Sequence, residues 1–285
     1  MNRLDGNSSC RLFAAVRKSA YHVEGTVEFK NMRPEERQEK ILTLLRENGR
    51  VKVDALAETL QISQETIRRD LTRLGSEGLL WKVHGGASLP QPNGEGPFQL
   101  RMTEQLQEKR AIARTAAALF HPGDTLFVDT GSATVLFAEE LRRQTGLTVI
   151  TNSVMIAQTI ARSDGNRVFL IGGEYSDEAM QNVGALAVQQ VSQFRTVHAV
   201  ITVGSLDIEG AMDFTLEEAE IARAMIDHAR NLTVIADSTK FKKTGLFRVC
   251  PLNEIDRLIT EACLGDLSQA LANAEIDVHI ASSSS

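Results

Sequence analysis

The sequence predicts two folded domains: a small winged helix-turn-helix, then a larger α/β domain with a mostly parallel sheet. Three short helical patterns come first, followed by an apolar stretch that ends in two glycines at Gly85 and Gly86. The segment Ser88–Phe98 then holds three prolines and two glycines, which interrupts any regular structure. From Glu108 onward, apolar strands alternate with helices, which is typical of a parallel sheet covered on both faces.

Composition limits the class of protein. The chain has 285 residues, of which 42% are hydrophobic and 24% charged, which suits a folded protein of one to three domains. No apolar run approaches the roughly 20 residues that span a bilayer, so we expect no membrane partner. The three cysteines are widely spaced without a CxxC pair, which argues against disulfides or a zinc site and favours a cytoplasmic location. We expect neither a metal nor a cofactor.

Charge is distributed unevenly along the chain. The net charge of −6 divides into +2 for residues 1–31, +1 for 32–88 and −9 for 89–285, counted from the sequence. A nearly neutral small domain is thus joined to an acidic larger one. An acidic total does not exclude nucleic-acid binding, because only the contacting face has to be positive.

Five segments are predicted. Residues 1–31 form an extension that is expected to be disordered, and the sequence leaves open whether it belongs to the native protein. Residues 32–88 form the winged helix-turn-helix, 89–107 a linker and 108–262 the larger domain. Residues 263–285 hold a helix or strand and a disordered tail, since the chain ends in ASSSS.

Three helical patterns make up the small domain. Pro34 suits a first helical turn, and Gly49 ends that helix. A second, shorter apolar pattern is separated from the third only by Gln61-Ile62, which predicts a tight turn. Ser63 is placed to cap the third helix. The inward face of that helix is predicted to consist of Ile67, Leu71 and Leu74.

The outward face of the third helix is rich in groups that bind DNA. Glutamine can bridge adenine, and arginine can bridge guanine or hold phosphate. The hairpin that follows is predicted to present a lysine and a histidine. The candidate DNA-binding residues are Ser63, Gln64, Thr66, Arg68, Arg69, Arg73, Lys82 and His84. The alternative is that the arginines are ordinary solvated surface and the histidine a simple turn residue.

Two motifs in this region carry a family resemblance. SQETIRRDL at Ser63–Leu71, followed by HGGA at His84–Ala87, resembles the DeoR-type winged helix-turn-helix of bacterial transcription regulators. The resemblance implies contacts with double-stranded operator DNA. Lys82 stands where the family usually has arginine, which replaces a bidentate fork by a point charge. Lys52 stands where Ser or Thr often caps the second helix, so that helix end is predicted to be looser.

Four polar segments follow predicted strands of the larger domain: Asp129–Thr134, Thr151–Ser153, Gly172–Glu174 and Asp237–Lys240. Ligands of parallel sheets bind at the carboxyl ends of strands. Free backbone N–H groups at the start of a helix favour phosphate there. Each segment alone is more often a helix cap, but four at one sheet edge predict a site, with Glu217 or Glu218 accepting a sugar hydroxyl.

These segments also resemble the effector domain of DeoR-type regulators, which is similar in fold to ribose-5-phosphate isomerase, glucosamine-6-phosphate deaminase and coenzyme A transferases. The resemblance implies a pocket for a phosphorylated sugar or polyol. Its implied lining is Asp129, Gly131, Ser132, Thr134, Asn152, Gly173, Asp207, Glu218 and Lys240. SQFR at Ser192–Arg195 and the DF…EE stretch resemble the glycerol-3-phosphate repressor branch, which implies a glycerol phosphate or related ligand.

The expected function is a ligand-controlled repressor of a sugar or polyol catabolic operon, not an enzyme. It is expected to bind its operator as a homodimer or tetramer, because half-site geometry mirrors protein symmetry. One alternative is a sugar-phosphate isomerase or deaminase with Asp129, Asp207 or Glu218 as base. Another is that the larger domain only mediates oligomerisation. The operator sequence, the sign of regulation and the identity of the phosphate stay open.

Overall fold

A computed structural model of the chain describes residues 32–83, 85–90, 95–177, 179–262, 265 and 267–282. The predictions for residues 1–31, for His84 and for the last three serines lie outside these ranges.

The small domain contains three helices and a three-stranded antiparallel sheet. The helices are α1 (Pro34–Asn48), α2 (Val53–Leu60) and α3 (Gln64–Ser76), and the strands are β1 (Arg50–Lys52), β2 (Trp81–Val83) and β3 (Gly86–Ser88). The strands lie in the order β1-β3-β2. The helix-turn-helix and the hairpin of the wing confirm the prediction. Strand β1 was not predicted, because three residues are too short to show a period.

The apolar face of α3 packs against α1 and α2 as predicted. Ile67, Leu71 and Leu74 are buried, together with Ile41 and Leu45 of α1. Burying side chains of this size is worth roughly 1.5–3 kcal/mol each before cavity and entropy terms. The position of α3 relative to the wing therefore depends on these contacts.

Two glycines join the wing to the start of α2. Lys52 gives α2 no side-chain cap, as predicted, but the Val53 N–H donates to the Gly85 carbonyl at 2.8 Å. Gly85 has a φ of +70°, which favours glycine. A Cβ on Gly86 would lie 2.0 Å from the Val51 carbonyl oxygen. The two glycines are thus explained by close backbone packing.

A buried ion pair ties α1 to α3. Arg37 Nε donates to Asp70 Oδ2 at 2.5 Å and Arg37 Nη2 donates to Asp70 Oδ1 at 3.1 Å. Gln38 Nε2 donates to the same Oδ1 at 3.0 Å. The hydrogen bond with Asp70 raises the pKa of the Arg37 guanidinium despite burial. The aspartate of the IRRDL motif therefore positions α3 and points away from its outward face.

The large domain is built on seven parallel strands, which confirms the predicted parallel sheet. In chain order they are β4 (Thr125–Val128), β5 (Thr148–Thr151), β6 (Arg167–Leu170), β9 (Thr196–Ile201), β12 (Ala229–Ile235), β14 (Arg257–Thr260) and β15 (Asp277–Ile280). Their spatial order is β15-β14-β12-β9-β4-β5-β6. The C-terminal segment thus supplies an edge strand of the main sheet.

Two small sheets accompany the main one. They are built from β7 (Glu174–Ser176) with β8 (Gln181–Val183), and from β10 (Ser205–Asp207), β11 (Gly210–Asp213) and β13 (Phe247–Cys250). The registers of both sheets are antiparallel. None of these short strands was predicted.

Helices cover both faces of the main sheet. They are α4 (Phe98–Arg101), α5 (Leu106–Ala117), α6 (Ser132–Leu141), α7 (Val154–Ile160), α8 (Ala185–Val191), α9 (Leu216–Asp227) and α10 (Leu267–Asn273). Neighbours on β4 belong to opposite faces: Leu126 packs in the core that contains α5 to α7, and Phe127 in the core that contains α8 to α10. Such alternation within an apolar strand confirms the two-faced sheet.

The segment after the winged domain packs on the large domain. Phe98 of α4 is buried in the core that contains α5. The boundaries at residues 89 and 107 stay a prediction. In the part of the chain that the structure describes, no helix combines the length and the apolar character that crossing a bilayer requires.

Asp70→Ala should strongly destabilise the winged domain. The substitution leaves the buried Arg37 guanidinium without its counter-charge, and breaking such a pair costs about 3–5 kcal/mol. Urea unfolding of the full chain, with hydrogen exchange of the α1 and α3 amides, measures the loss. The matched control is Glu65→Ala, which removes the exposed partner of Arg69, where the side chains are 65% and 80% exposed. That control should cost about 1 kcal/mol or less, and equal losses would contradict the role of Asp70.

Candidate DNA-binding surface and ligand site

The outward face of α3 is polar and exposed. Gln64, Arg68, Arg69 and Arg73 are all solvent-exposed, as the helical spacing predicted. Arg68 Nη2 donates to Gln64 Oε1 at 3.1 Å, which holds the two side chains side by side near the amino end of the helix. Side chains so placed suit contact with base edges in a major groove. Their contacts with DNA stay a prediction.

The wing contributes one cation to the same surface. Lys82 Nζ donates to Thr72 Oγ1 of α3 at 2.9 Å. The Lys82 stem also lies close to Gly75, where a Cβ would be 3.5 Å from Lys82 Cγ. Strand β2 and α3 therefore present their cations together.

Ser63 and Thr66 have local hydrogen-bonding roles. Ser63 Oγ accepts from the Thr66 N–H at 3.2 Å, so Ser63 is the predicted N-cap. The hydroxyl groups of Ser63 and Thr66 are 2.9 Å apart, and Thr66 is half-buried. Capping does not prevent a hydroxyl from meeting a phosphate, so their DNA contacts remain predictions.

A polar network crosses the carboxyl ends of β4 and β5. Thr130 Oγ1 donates to Asn152 Oδ1 at 3.0 Å, and Asn152 Nδ2 donates to Gln181 Oε1 at 2.8 Å. Gln181 Nε2 in turn donates to Glu218 Oε1 at 3.1 Å. Glu218 Oε2 accepts from the Thr215 hydroxyl that caps α9. Two predicted ligand residues, Asn152 and Glu218, are thus joined through Gln181.

Asp129 is a buried carboxyl beside this network. Burial raises its pKa to about 7; the charge of Glu218 adds to the rise, and hydrogen bonds with Thr130 and Asn152 oppose it. Asp129 Oδ1 has no hydrogen-bond partner among the described residues. A buried unpaired oxygen is costly, and a ligand hydroxyl would satisfy it.

A third carboxyl belongs to the same group. Burial raises the pKa of Asp213 well above its usual range, and the charges of Glu218 and Asp129 raise it further. Asp213 Oδ1 accepts from the Phe214 N–H at 2.8 Å. Because like charges disfavour joint ionisation, this end of the site suits hydroxyl groups better than anions.

A second buried group is cationic, and Arg101 relates it to the carboxyl groups, because the charges of Glu218 and Asp213 act on Arg101. Lys240 Nζ and Arg101 Nη1 both contact the carboxylate of Glu95. Burial lowers the pKa of the Lys240 ammonium to about 7, and nearby Lys243 lowers it further. The Glu95 carboxylate, which contacts Lys240, favours the charged ammonium and so opposes the lowering of its pKa. Burial also lowers the pKa of Arg101, against the charges of Glu218 and Asp213.

The start of α6 is shaped by close packing. A Cβ on Gly131 would lie 2.0 Å from Thr202 Cγ2, so only glycine fits against the residue that follows β9. Thr134 Oγ1 donates to the Gly131 carbonyl at 3.0 Å, and Ser132 is buried beside it. These residues follow Asp129 directly, at the predicted edge of the sheet. Their contact with a ligand stays a prediction.

Gly173 and Asp207 lie in structural positions. Gly173 has a φ of +150°, and a Cβ there would be 2.7 Å from the Val183 carbonyl oxygen. Asp207 Oδ1 accepts from the Glu209 N–H at 2.8 Å in the turn between β10 and β11. Neither is tied to Asn152 by a hydrogen bond within the described ranges. Their predicted ligand contacts stay predictions.

Sequence reasoning missed four residues of this site: Glu95, Arg101, Gln181 and Asp213. Glu95 and Arg101 lie in the segment interpreted as a linker, and Gln181 and Asp213 lie in short strands without a visible period. The one available signal was charge, since Glu95 is the only acidic residue in Ser88–Phe98.

Two surface clefts lie elsewhere on the large domain. One, of about 360 Å³, is lined by residues of α5 and α6 that include Arg110, Arg114 and Glu139. The other, of about 270 Å³, lies beside α9 and β13. Neither is lined by a predicted ligand residue. Over the described ranges, no group of three or more His, Cys, Asp or Glu side chains is arranged to hold a metal ion.

A winged helix-turn-helix with arginines on its exposed third helix, joined to an α/β domain with a buried polar site, defines a class of protein. The class is the transcription regulators that combine a DNA-binding domain with a sensor domain. Family profiles agree with both halves. The DeoR-like helix-turn-helix domain matches residues 37–93, and the DeoR C terminal sensor domain matches residues 104–262. The chain belongs to the DeoR family.

Similar proteins include named repressors. The glycerol-3-phosphate regulon repressor of Escherichia coli K12 is 30% identical over 232 residues, covering 81% of this chain and 92% of that protein. The transcriptional repressor AccR of Agrobacterium fabrum C58 is 33% identical over 231 residues, covering 80% and 90%. The lactose phosphotransferase system repressor of Staphylococcus aureus N315 is 31% identical over 239 residues, covering 81% and 93%.

Solved structures give weaker likenesses. Ribose 5 phosphate isomerase A from Neisseria gonorrhoeae has a TM-score of 0.33 and 17% identity, covering 47% of this chain and 52% of that chain. Translation initiation factor eIF-2B from Pyrococcus horikoshii OT3 has a TM-score of 0.38 and 13% identity, covering 79% and 86%. Scores this low support no functional comparison.

Asp129→Asn should change how stability depends on pH. Between the unfolded pKa near 4 and the folded pKa near 7, folded Asp129 binds a proton that the unfolded chain has lost. Its contribution to stability is therefore present at acid pH and lost as pH rises to 7. The free energy of unfolding of the variant, relative to that of wild type, should therefore be higher at pH 8 than at pH 5 by roughly 2–3 kcal/mol.

Urea unfolding of the full chain at the two pH values measures this difference. Asp227→Asn removes an exposed carboxyl of α9 and keeps Asp129, so its stability should differ from that of wild type by the same amount at both pH values. If Asp129→Asn tracked wild type at both pH values, the carboxyl would have to be solvated.

Proposed function

We propose that the chain is a repressor that binds operator DNA through α3 and the wing. A phosphorylated sugar or polyol, bound in the large domain, releases it. The observation that carries the ligand class is the polarity of the buried site. Lys240 and Arg101 supply buried cations, and Asp129, Asn152 and Glu218 supply hydrogen-bond acceptors. Such a site suits a molecule that carries both an anion and hydroxyl groups.

The DNA-binding half of the proposal rests on α3. Its arginines and Gln64 are exposed while its apolar face is buried, so the helix is rigidly held with its polar side free. We infer that two or four copies bind together, because paired half-sites require matching symmetry. Ligand binding would then favour an arrangement of winged domains that no longer fits the half-site spacing.

The ligand is proposed to be a glycerol phosphate or a related polyol phosphate. One relative is named for the glycerol-3-phosphate regulon and another for the lactose phosphotransferase system. Because coupling is reciprocal, bound operator should weaken ligand affinity by the same factor by which ligand weakens operator affinity.

An enzymatic role is the second candidate, since a carboxyl whose pKa lies near 7 suits a general base. We propose that the chain is not an enzyme, because a winged domain serves no catalytic purpose and the relatives described above are named as repressors. Turnover of a phosphosugar above a trace rate would overturn this view.

Arg69→Ala should weaken operator binding. Loss of a base contact costs about 1–3 kcal/mol, a decrease in affinity of roughly 5- to 150-fold. The probe is a duplex selected by the wild-type protein from a random pool, and the measurement is fluorescence anisotropy at fixed salt. Arg142→Ala removes the same charge from an exposed site on the large domain and should bind like wild type. If both variants bound the duplex equally well, α3 would not be the recognition helix.

Glycerol-3-phosphate should stabilise the protein and release it from the selected duplex. At about 100 times its Kd, a ligand that binds only the folded state adds about 2.7 kcal/mol. Thermal denaturation measures the first effect and anisotropy the second. Glycerol is the matched control, because it keeps the hydroxyls and lacks the phosphate. Equal effects of both compounds, or none with any phosphorylated polyol tested, would contradict phosphate sensing.

A further inference from the structure

The segment after the wing inserts a carboxylate into the cationic end of the site. Glu95 contacts Lys240, which lies in the short 3-10 helix Ser238–Lys242, 145 residues further along the chain. It also contacts Arg101 of α4. The side chains of Glu95, Arg101 and Lys240 are only 12%, 11% and 8% exposed. The carboxylate is therefore an internal occupant of a buried site.

Glu95 is the carboxylate that both buried cations contact. The charges of Glu218 and Asp213 also act on Arg101, without a hydrogen bond to it among the described residues, and buried charges require compensation. A phosphate ester carries between one and two negative charges near neutral pH, and guanidinium groups bind phosphate through paired donors. Within the described residues, Arg101 Nε has no hydrogen-bond partner, so one donor of that fork stays available. A phosphate satisfies the two cations better than Glu95 does.

The same segment touches the wing one residue later. A Cβ built on Gly96 would lie 3.6 Å from Cε2 of the Trp81 indole, so the Gly96 backbone packs on β2. Gly96 has a φ of +77°, which glycine adopts without strain. Adjacent residues thus contact the sensor site and the winged domain. Because Glu95 and Gly96 are adjacent, a backbone displacement at Glu95 reaches the contact between Gly96 and Trp81.

We propose that Glu95 occupies the phosphate subsite of Lys240 and Arg101 in the ligand-free protein, and that an incoming phosphate ester displaces it and frees the segment from Trp81. The proposal rests on the proposed function for the class of ligand. It assigns Arg101 to phosphate binding and Glu95 to the coupling between the sensor site and the wing. The phosphate ester and the Glu95 carboxylate cannot both occupy the subsite. The ligand therefore shifts the population toward molecules in which the Gly96 backbone no longer packs on Trp81.

Trp81 makes the test direct, because it is the only tryptophan in the chain. Intrinsic fluorescence of the full-length protein reports its contact with Gly96. The proteins are wild type, Glu95→Gln and the control Glu220→Gln, which neutralises an exposed carboxylate on α9. The probes are glycerol-3-phosphate and inorganic phosphate, with affinities measured by calorimetry. A pH of 6.5 keeps Lys240 protonated where Glu95 is absent, since burial places its pKa near 7.

We expect saturating glycerol-3-phosphate to shift the Trp81 emission of wild type and of the control. Glu95→Gln should show the shifted emission without ligand and change little on adding it. Glu95→Gln should also bind glycerol-3-phosphate at least about tenfold more tightly than wild type does. A tenfold gain is expected when one wild-type molecule in ten has Glu95 outside the subsite before the ligand binds. Inorganic phosphate should likewise bind Glu95→Gln more tightly than wild type.

Two results would overturn the proposal, and they have different consequences for phosphate sensing. If wild type binds glycerol-3-phosphate while Glu95→Gln has unchanged emission and affinity, displacement of Glu95 is wrong and phosphate sensing stands. If neither protein binds either probe, phosphate sensing is wrong and the proposal falls with it. Glu95→Gln and Glu220→Gln are checked for wild-type circular dichroism. A further variant, Glu95→Asp, keeps the charge on a shorter side chain. Its Trp81 emission and its affinity should fall between those of wild type and Glu95→Gln.

Discussion

The parallel direction of the seven-stranded sheet is the constraint on which the site depends. Every strand delivers its carboxyl end to the same edge, and helices bury both faces, so polar side chains at the strand ends can meet only there. Asp129 follows β4, Asn152 follows β5 and Lys240 lies just beyond β12. Side chains from different strand ends thus become neighbours, as Thr130 and Asn152 do at 3.0 Å, without any long-range signal in the sequence.

Burial at that edge sets the chemistry of each group. Asp129 and Asp213 lose water and their pKa values rise, and Lys240 loses water and its pKa falls. Buried charges need partners, and the protein supplies Glu95 to Lys240 and the Phe214 N–H to Asp213. The winged domain follows the same rule, since Asp70 of its recognition helix is buried only because Arg37 and Gln38 satisfy it.

Much of the fold could be predicted because its signals are local. The spacing of Ile67, Leu71 and Leu74 defined a helix face, Gly49 and Ser63 marked helix ends, and the apolar strands of the main sheet were visible as short runs between helices. The strands β1, β7 and β8 escaped prediction because each has only three residues and none is joined to its partner by a glycine turn like that of the wing. The polar segments that were expected at one sheet edge do follow β4, β5, β6 and β12, yet the contacts of Arg101 and Gln181 were missed because each lies outside any motif.

The sequence by itself determined the two-domain order, the helix-turn-helix, the parallel sheet and the family, since caps, apolar periods and short motifs act within a few residues. Only the tertiary structure decided which charges meet. Arg37 finds Asp70 across 33 positions and Glu95 finds Lys240 across 145. Such pairs depend on how whole elements pack, because an ion pair forms wherever the fold brings opposite charges together in a buried place, and no local pattern encodes that meeting.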